Sequence, residues 1–159
     1  MNLEWTEAIF HDDLRLRLQA GASGLRAVEF HPDAVEMGAR SDGNTLLVEA
    51  VRQLHAYFSG ALRSFDLPLD MQGTDFQKRV WNRLLAIPYG QTRSYAEIAR
   101  EIGRPAAVRA VGAANGANPI AIVVPCHRVI GSSGRLVGYG GGLPLKRRLL
   151  ELERGGLFV

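Results

Sequence analysis

A chain of 159 residues with one cysteine, Cys126, cannot carry an internal disulfide framework or a cysteine-rich zinc site. No apolar run approaches the roughly 20 residues that a bilayer span requires. The N-terminus, MNLEWTEAIFHDD, holds acids where a secretory signal holds bases. The expectation is a cytoplasmic protein without a membrane partner. Lysine is missing from residues 1–68, where six arginines face ten acids, a balance of −4. Residues 69–159 reverse this, with thirteen bases against six acids, a balance of +7. A basic half of this kind points to a polyanion, nucleic acid foremost. Three of the histidines, His11, His31 and His55, stand alone without metal-like spacing and read as surface or core residues. No metal and no cofactor is expected. Hydrophobic residues at 47% and charged residues at 22% argue against wholesale disorder and suit one domain, or two small ones sharing a core.

The first half reads as a small α/β lobe, residues 1–68. Leu14, Leu16 and Leu18 alternate with Arg15, Arg17 and Gln19, the period-two pattern of a half-buried strand. The turn Gly21-Ala22-Ser23-Gly24 leads to a second strand, Leu25 to Phe30. Leu46, Leu47, Ala50, Val51, Leu54, Tyr57 and Phe58 recur at three- and four-residue steps, marking a helix from near Asn44 to Gly60. Phe65 to Asp70 reads as the link to residues 69–159, which are mostly short helices. Thr74 or Asp75 caps the first of these, with Phe76, Val80, Trp81, Leu84 and Leu85 on one face. Thr92 or Ser94 opens the next, Tyr95 to Ile102, which Gly103 stops. Pro105 begins a third, Ala106 to about Asn115, built almost wholly of small residues around Val108, Arg109 and Val111. Two short helices joined across Gly103 have the look of a helix-turn-helix. The small residues of the second favour close approach of backbone to a groove over side-chain readout of bases.

The densest chemistry lies in Pro125-Cys126-His127-Arg128, which follows the apolar run Ile120 to Val124. A lone cysteine is either a small core residue or a reactive thiol. A thiol becomes a good nucleophile as thiolate, and a nearby base or positive charge favours that form. His127 is the evident base, but neighbours in an extended segment point to opposite faces. A bent backbone or one bridging water is needed to join them. On the last helix, Leu145, Leu149, Leu150 and Leu152 define a buried arc that also contains Glu153. A buried acid demands a partner, and His127 or Arg128 is the natural one.

Pro125-Cys126-His127-Arg128-Val129 resembles the active-site signature of the O6-alkylguanine-DNA alkyltransferases, also called methylated-DNA–protein-cysteine methyltransferases. The likeness runs from Phe76 to Glu153. It takes in Gly90, Ser94-Tyr95, Ala107 through Gly112, Asn118-Pro119, Ser132-Ser133-Gly134, Gly138-Tyr139, Gly141-Gly142-Leu143 and Lys146. The resemblance implies an α+β fold: an N-terminal α/β lobe with a short antiparallel sheet, and a mostly helical lobe, 69–159, bearing a helix-turn-helix and the reactive cysteine. It implies one irreversible transfer of an alkyl group, such as methyl, from O6 of guanine in DNA to Cys126. His127 would take the thiol proton through a water, Glu153 would hold His127, and Asn118 would brace the turn. Tyr95 would help rotate the nucleotide and donate to the leaving group. The carbonyls of Cys126 and Val129 would receive the exocyclic amine, with Tyr139, Gly140 and Asn115 lining the base pocket. Arg109 would fill the gap left in the stack, and Ala107, Ala110, Gly112, Ser94 and Arg128 would contact DNA.

An alkyl group on O6 is out of reach inside a duplex, so the nucleotide must be turned out, at a cost of a few kcal/mol. The partner expected is double-stranded DNA carrying O6-alkylguanine, bound by a nucleoid-associated protein that is a monomer in solution. Two positions depart from the family pattern. Gly140 replaces a small hydroxyl residue, and Asn115 stands where some members have a bulky apolar one. The rival readings are a non-catalytic sensor of alkylated DNA, which leaves Cys126, His127 and Glu153 without a task, and a cysteine hydrolase, which leaves Arg109 and Tyr95 without one.

Overall fold

The computed structural model describes residues 3–11, 13–30 and 38–159; His31 lies outside the described residues. Alternation makes Leu14–Ala20 a strand, β2, with Leu16 and Leu18 buried in the core. Its antiparallel neighbours are β1, Glu4–Phe10, and β3, Leu25–Glu29. The short β4, Ala39–Arg40, pairs parallel to β1, so the sheet order is β3-β2-β1-β4. β1 escapes a reading by pattern because buried Trp5 and Thr6 are consecutive while Ile9 is 60% exposed, which breaks the period of two.

Helix α1, Thr45–Phe58, packs on this sheet through Leu47, Ala50, Leu54, Tyr57 and Phe58. The Asn44 side chain caps it by accepting from the Leu47 amide at 3.1 Å. Buried Gln53 holds the following segment: its Nε2 donates to the Asp66 carbonyl at 3.0 Å, and its Oε1 accepts from the Asp66 amide at 2.9 Å. The segment then pairs with β3, Leu25 donating to Pro68 at 2.8 Å and Asp70 to Leu25 at 2.9 Å. Residues 1–72, 119–123 and Phe158 form one compact unit; 73–118, 124–157 and Val159 form the other. The fold is α+β. Of the isolated histidines, His55 packs tilted against Phe10 with ring centroids 4.4 Å apart, and His11 meets Phe158 edge-on at 5.2 Å.

In the second unit, α2, Asp75–Leu85, starts with a reciprocal capping box between Thr74 and Gln77. It buries Val80, Trp81 and Leu84. Leu85, expected on that face, is 40% exposed, since it falls about 100° past Leu84 on the helical wheel. α3, Tyr95–Glu101, has Ser94 as its cap, and Gly103 turns the chain at φ +77°. The following helix, α4, covers Val108–Gly116 and does not begin at Pro105. Residues 104–107 instead form a turn closed by Ala107 donating to the Arg104 carbonyl at 2.9 Å, with proline at its favoured second position. α2 and α4 are tied where Trp81 Nε1 donates to the Ala114 carbonyl at 2.8 Å. Helix α5, Leu143–Glu153, ends this unit, burying Leu145, Lys146, Leu149, Leu150, Leu152 and Glu153.

Candidate active site

Leading into Cys126, the chain folds tightly. Ile122 takes φ +71°, an uncommon conformation for a β-branched residue. Val123 donates to the Ala121 carbonyl and Cys126 to the Val124 carbonyl, each at 2.8 Å. Cys126–Arg128 then form a single 3-10 turn, followed by strand β6, Val129–Ile130, which pairs parallel with β5, Arg93–Ser94. Two consequences follow. The turn supplies the bend that an extended segment lacks, and the two-residue ladder sets the start of α3, with Tyr95, beside the thiol-bearing turn. Asn118 Nδ2 holds that turn from the other side by donating to the Val124 carbonyl at 2.8 Å.

His127 is fully buried, and its Nε2 lies 2.7 Å from Glu153 Oε2. Arg128 grips the same carboxylate, Nε to Oε1 at 2.7 Å and Nη2 to Oε2 at 3.1 Å, and sends Nη1 to the Ile87 carbonyl at 2.8 Å. Burial pushes Glu153 up, but the bonds from His127 and Arg128 outweigh it and hold the acid down, to about 2. Burial pushes His127 below its ordinary 6.5 despite the pull of Glu153. The ground state is therefore a neutral imidazole hydrogen-bonded to an ionised glutamate that Arg128 also holds. An ionised carboxylate only accepts, so Nε2 carries the proton and Nδ1 the lone pair. Nδ1 is buried and has no hydrogen-bond partner among the described residues.

The thiol of Cys126 is buried and pushed above its ordinary 9.0 by desolvation, with Asn118 and the Lys146 ammonium pulling it back. Charge on Cys126 is felt by Tyr95, Tyr139 and Lys146 and raises the pKa of each. Lys146 has no exposed surface; its Nζ donates to the carbonyls of Val129, Val137 and Gly138 at 2.7, 3.0 and 3.4 Å. Tyr95 donates to the Val137 carbonyl at 3.1 Å. Asn115 is buried, and its Nδ2 donates to the Cys126 carbonyl at 3.3 Å. Cys126, His127, Glu153, Asn118, Tyr95, Val129, Tyr139 and Asn115 thus share one locality.

The other expected residues are spread differently. Arg109 and Ala110 are exposed on α4, with Ala107 at its N-cap. Gly112 is turned toward the Tyr95 ring, and Gly140 is exposed with open space where a side chain would stand. The Ser94 hydroxyl is engaged within α3, accepting from the Glu97 amide at 3.0 Å. Arg128, expected to contact DNA, is a correction: it is 7% exposed and committed to Glu153, because a buried carboxylate needs more compensation than a neutral histidine supplies. The carbonyl of Cys126, expected to receive a base, already accepts from Asn115 and from the Val129 amide. Lys146 went unread as a site residue, although a signal existed: seven residues before Glu153, it lies about 20° from it on the wheel, inside the same leucine arc. Gly90 reads in sequence only as part of the stop Pro88-Tyr89-Gly90 after the preceding helix. It has φ +82°, and a Cβ there would come within 2.9 Å of the Glu153 carbonyl, so only glycine fits without strain.

The family model described as the DNA binding domain of 6-O-methylguanine DNA methyltransferase matches residues 75–155. The chain belongs to the 6-O-methylguanine DNA methyltransferase family. The ribonuclease-like domain of the same methyltransferase matches residues 15–71. The chain is 70% identical over 105 residues to a methylated-DNA–protein-cysteine methyltransferase of Mycobacterium tuberculosis, covering 66% of this chain and 64% of that one. This match spans just under two thirds of that relative's length. A methyltransferase of the same description from Methanosarcina acetivorans is 51% identical over 150 residues, 92% of this chain and 96% of the other. Among solved structures, Mycobacterium tuberculosis OGT in complex with DNA superposes with a TM-score of 0.87 at 52% identity, covering 96% of this chain and 93% of that one.

Proposed function

We propose that this methyltransferase-family protein repairs alkylated DNA directly, moving an alkyl group such as methyl from O6 of guanine onto Cys126. The observation that carries the proposal is the lone pair of His127 Nδ1, left available because Glu153, ionised by Arg128, fixes the proton on Nε2. Through one water, Nδ1 takes the proton of Cys126. The sulfur then bonds to the alkyl carbon while the carbon–O6 bond breaks. Its electron pair passes to O6 and spreads over the purine, helped by a hydrogen bond from Tyr95. The base takes up one proton to end as guanine, matching the one lost by the thiol. A thioether is a poor leaving group, so each molecule acts once.

Asn118 braces the turn, and Val129, Tyr139, Gly140 and Asn115 line the base pocket. The exposed face of α4, with Ala107, Arg109 and Ala110, lies against double-stranded DNA. Small side chains allow close approach, and Arg109 fills the place of the extruded nucleotide. Residues 69–159 form the DNA-binding and transfer domain, and residues 1–68 a supporting lobe of a monomer. To test this, the protein is incubated with a duplex containing O6-methylguanine and its mass is measured. The expected result is one methyl in place of one hydrogen, mapped to Cys126, with no turnover. Cys126→Ser retains DNA binding and gains no mass. Binding without methylation of the native protein would leave a sensor, and indifference to the duplex would end the proposal.

A further inference from the structure

We infer that Tyr89 is a positioning residue whose ring keeps Arg128 seated on Glu153, and through that pair sets His127 as the base for Cys126. This rests on the transfer reaction proposed above. In sequence, Pro88-Tyr89-Gly90 reads as a helix stop, a task that proline and glycine perform without an aromatic residue. The structure gives the same segment a second task, because residues 87–90 meet Glu153 and its arginine at several points. The Ile87 carbonyl accepts from Arg128 Nη1 at 2.8 Å. Arg128 Cζ lies over the Tyr89 ring, 5.7 Å from its centroid. The Tyr89 hydroxyl reaches the carbonyl of Leu152, the neighbour of Glu153, at 3.4 Å. Gly90 runs so near the Glu153 carbonyl that a Cβ would stand 2.9 Å from it.

These contacts are unequal. A hydroxyl 3.4 Å from a carbonyl lies beyond the usual O–H···O range and contributes little. The ring carries the effect. The N–H groups of a guanidinium lie in its plane, so the bonds to Glu153 and Ile87 hold the edge of Arg128. An aromatic face attracts a cation through its quadrupole, more strongly where water is kept away. Arg128 is 7% exposed, and the half-buried Tyr89 covers its charge on that side. With the ring gone, water reaches the guanidinium and screens its hold on Glu153. That hold matters to the base. Glu153 draws His127 toward the imidazolium, while Arg128 and Lys146 oppose it. A loosened Arg128 leaves Glu153 freer to protonate His127, and Nδ1 then has no lone pair for the thiol proton.

The test is the pH profile of single-turnover methyl transfer to Cys126 from a duplex carrying O6-methylguanine, with urea unfolding measured alongside. Tyr89→Leu refills most of the volume without a π face. It should move the acid limb of the profile to higher pH and lower the rate there by about threefold, the scale of one cation–π contact. Little change is expected at about pH 8, where His127 is neutral in both proteins. Tyr89→Met, equally free of a ring, is read the same way. Tyr89→Phe keeps the ring and should retain the native profile without the hydroxyl. Folding of each variant is checked by circular dichroism. A loss equal at every pH, no loss, or a Phe variant as impaired as the Leu variant would overturn the role of Tyr89 while leaving the transfer reaction standing. Failure of wild-type protein to methylate Cys126 would instead remove the reading beneath it.

Discussion

Glu153 sits on the leucine face of α5 with almost no contact with solvent, yet it is ionised. Arg128 makes that possible, and His127 benefits. Replacing Glu153 by Gln leaves the Arg128 charge buried without its counterion, an expected loss of about 3–5 kcal/mol in urea-unfolding stability; a change under about 1 kcal/mol would show that the triad contributes little. The pH dependence has a definite sign. A carboxyl held at about 2 in the fold and at its ordinary 4.5 when unfolded contributes stability above 4.5 that is lost as pH falls toward 2. Glu153→Gln should flatten that part of the acid-unfolding curve. His127 is also shifted down, but by burial, which favours its neutral form below the ordinary 6.5. The single-turnover rate should therefore stay level as pH is lowered from neutrality to 6.5 and fall only beneath it. A midpoint at or above 6.5 would mean that another group is the base.

Among the elements, α4 presents two unlike faces. Val111, Ala114 and Asn115 are buried, whereas Arg109, Ala110 and Ala113 are exposed. Ala110→Glu should weaken duplex binding at least tenfold through repulsion from phosphate, without slowing methyl transfer from O6-methylguanine supplied as a free base. Arg109→Ala should likewise slow repair of the duplex more than reaction with the free base. Equal losses on both would take the extrusion role away from Arg109. The helix itself was legible from its small residues, but its start was not. Pro105 suits the first turn of a helix and the second position of a β-turn alike, and the Ala107–Arg104 hydrogen bond selects the turn. Strand β1 was hidden for a different reason: burial on both of its faces breaks the alternation by which strands are read.

Across the whole molecule, charge is segregated between the two halves of the chain, −4 in residues 1–68 and +7 in residues 69–159. The proposed binding to duplex through its phosphates predicts an affinity that depends on salt and little on sequence. With about four phosphate contacts, raising salt from about 50 to about 200 mM should cost affinity on the order of a hundredfold. Affinities for unrelated undamaged duplexes, measured by fluorescence anisotropy, should agree within a few-fold. Salt-insensitive binding would detach the basic half from the function.

Some of this protein is written in local pattern. The period-two run of β2, the 3.6-residue periods of α1 and α5, the caps Asn44, Thr74 and Ser94, and the Cys126-His127 pair all depend on residues near one another in sequence. The leucine arc of α5 by itself puts Glu153 on the buried face. What the chain alone left open was partnership. His127 and Arg128 were alternatives for Glu153 on paper, and both are bound to it in the fold. The Asn115 bond to the Cys126 carbonyl and the carbonyl cage around Lys146 arise from segments that meet only after folding. A sequence pattern fixes which face is buried; hydrogen bonds are short and directional, so their pairing is decided by tertiary packing.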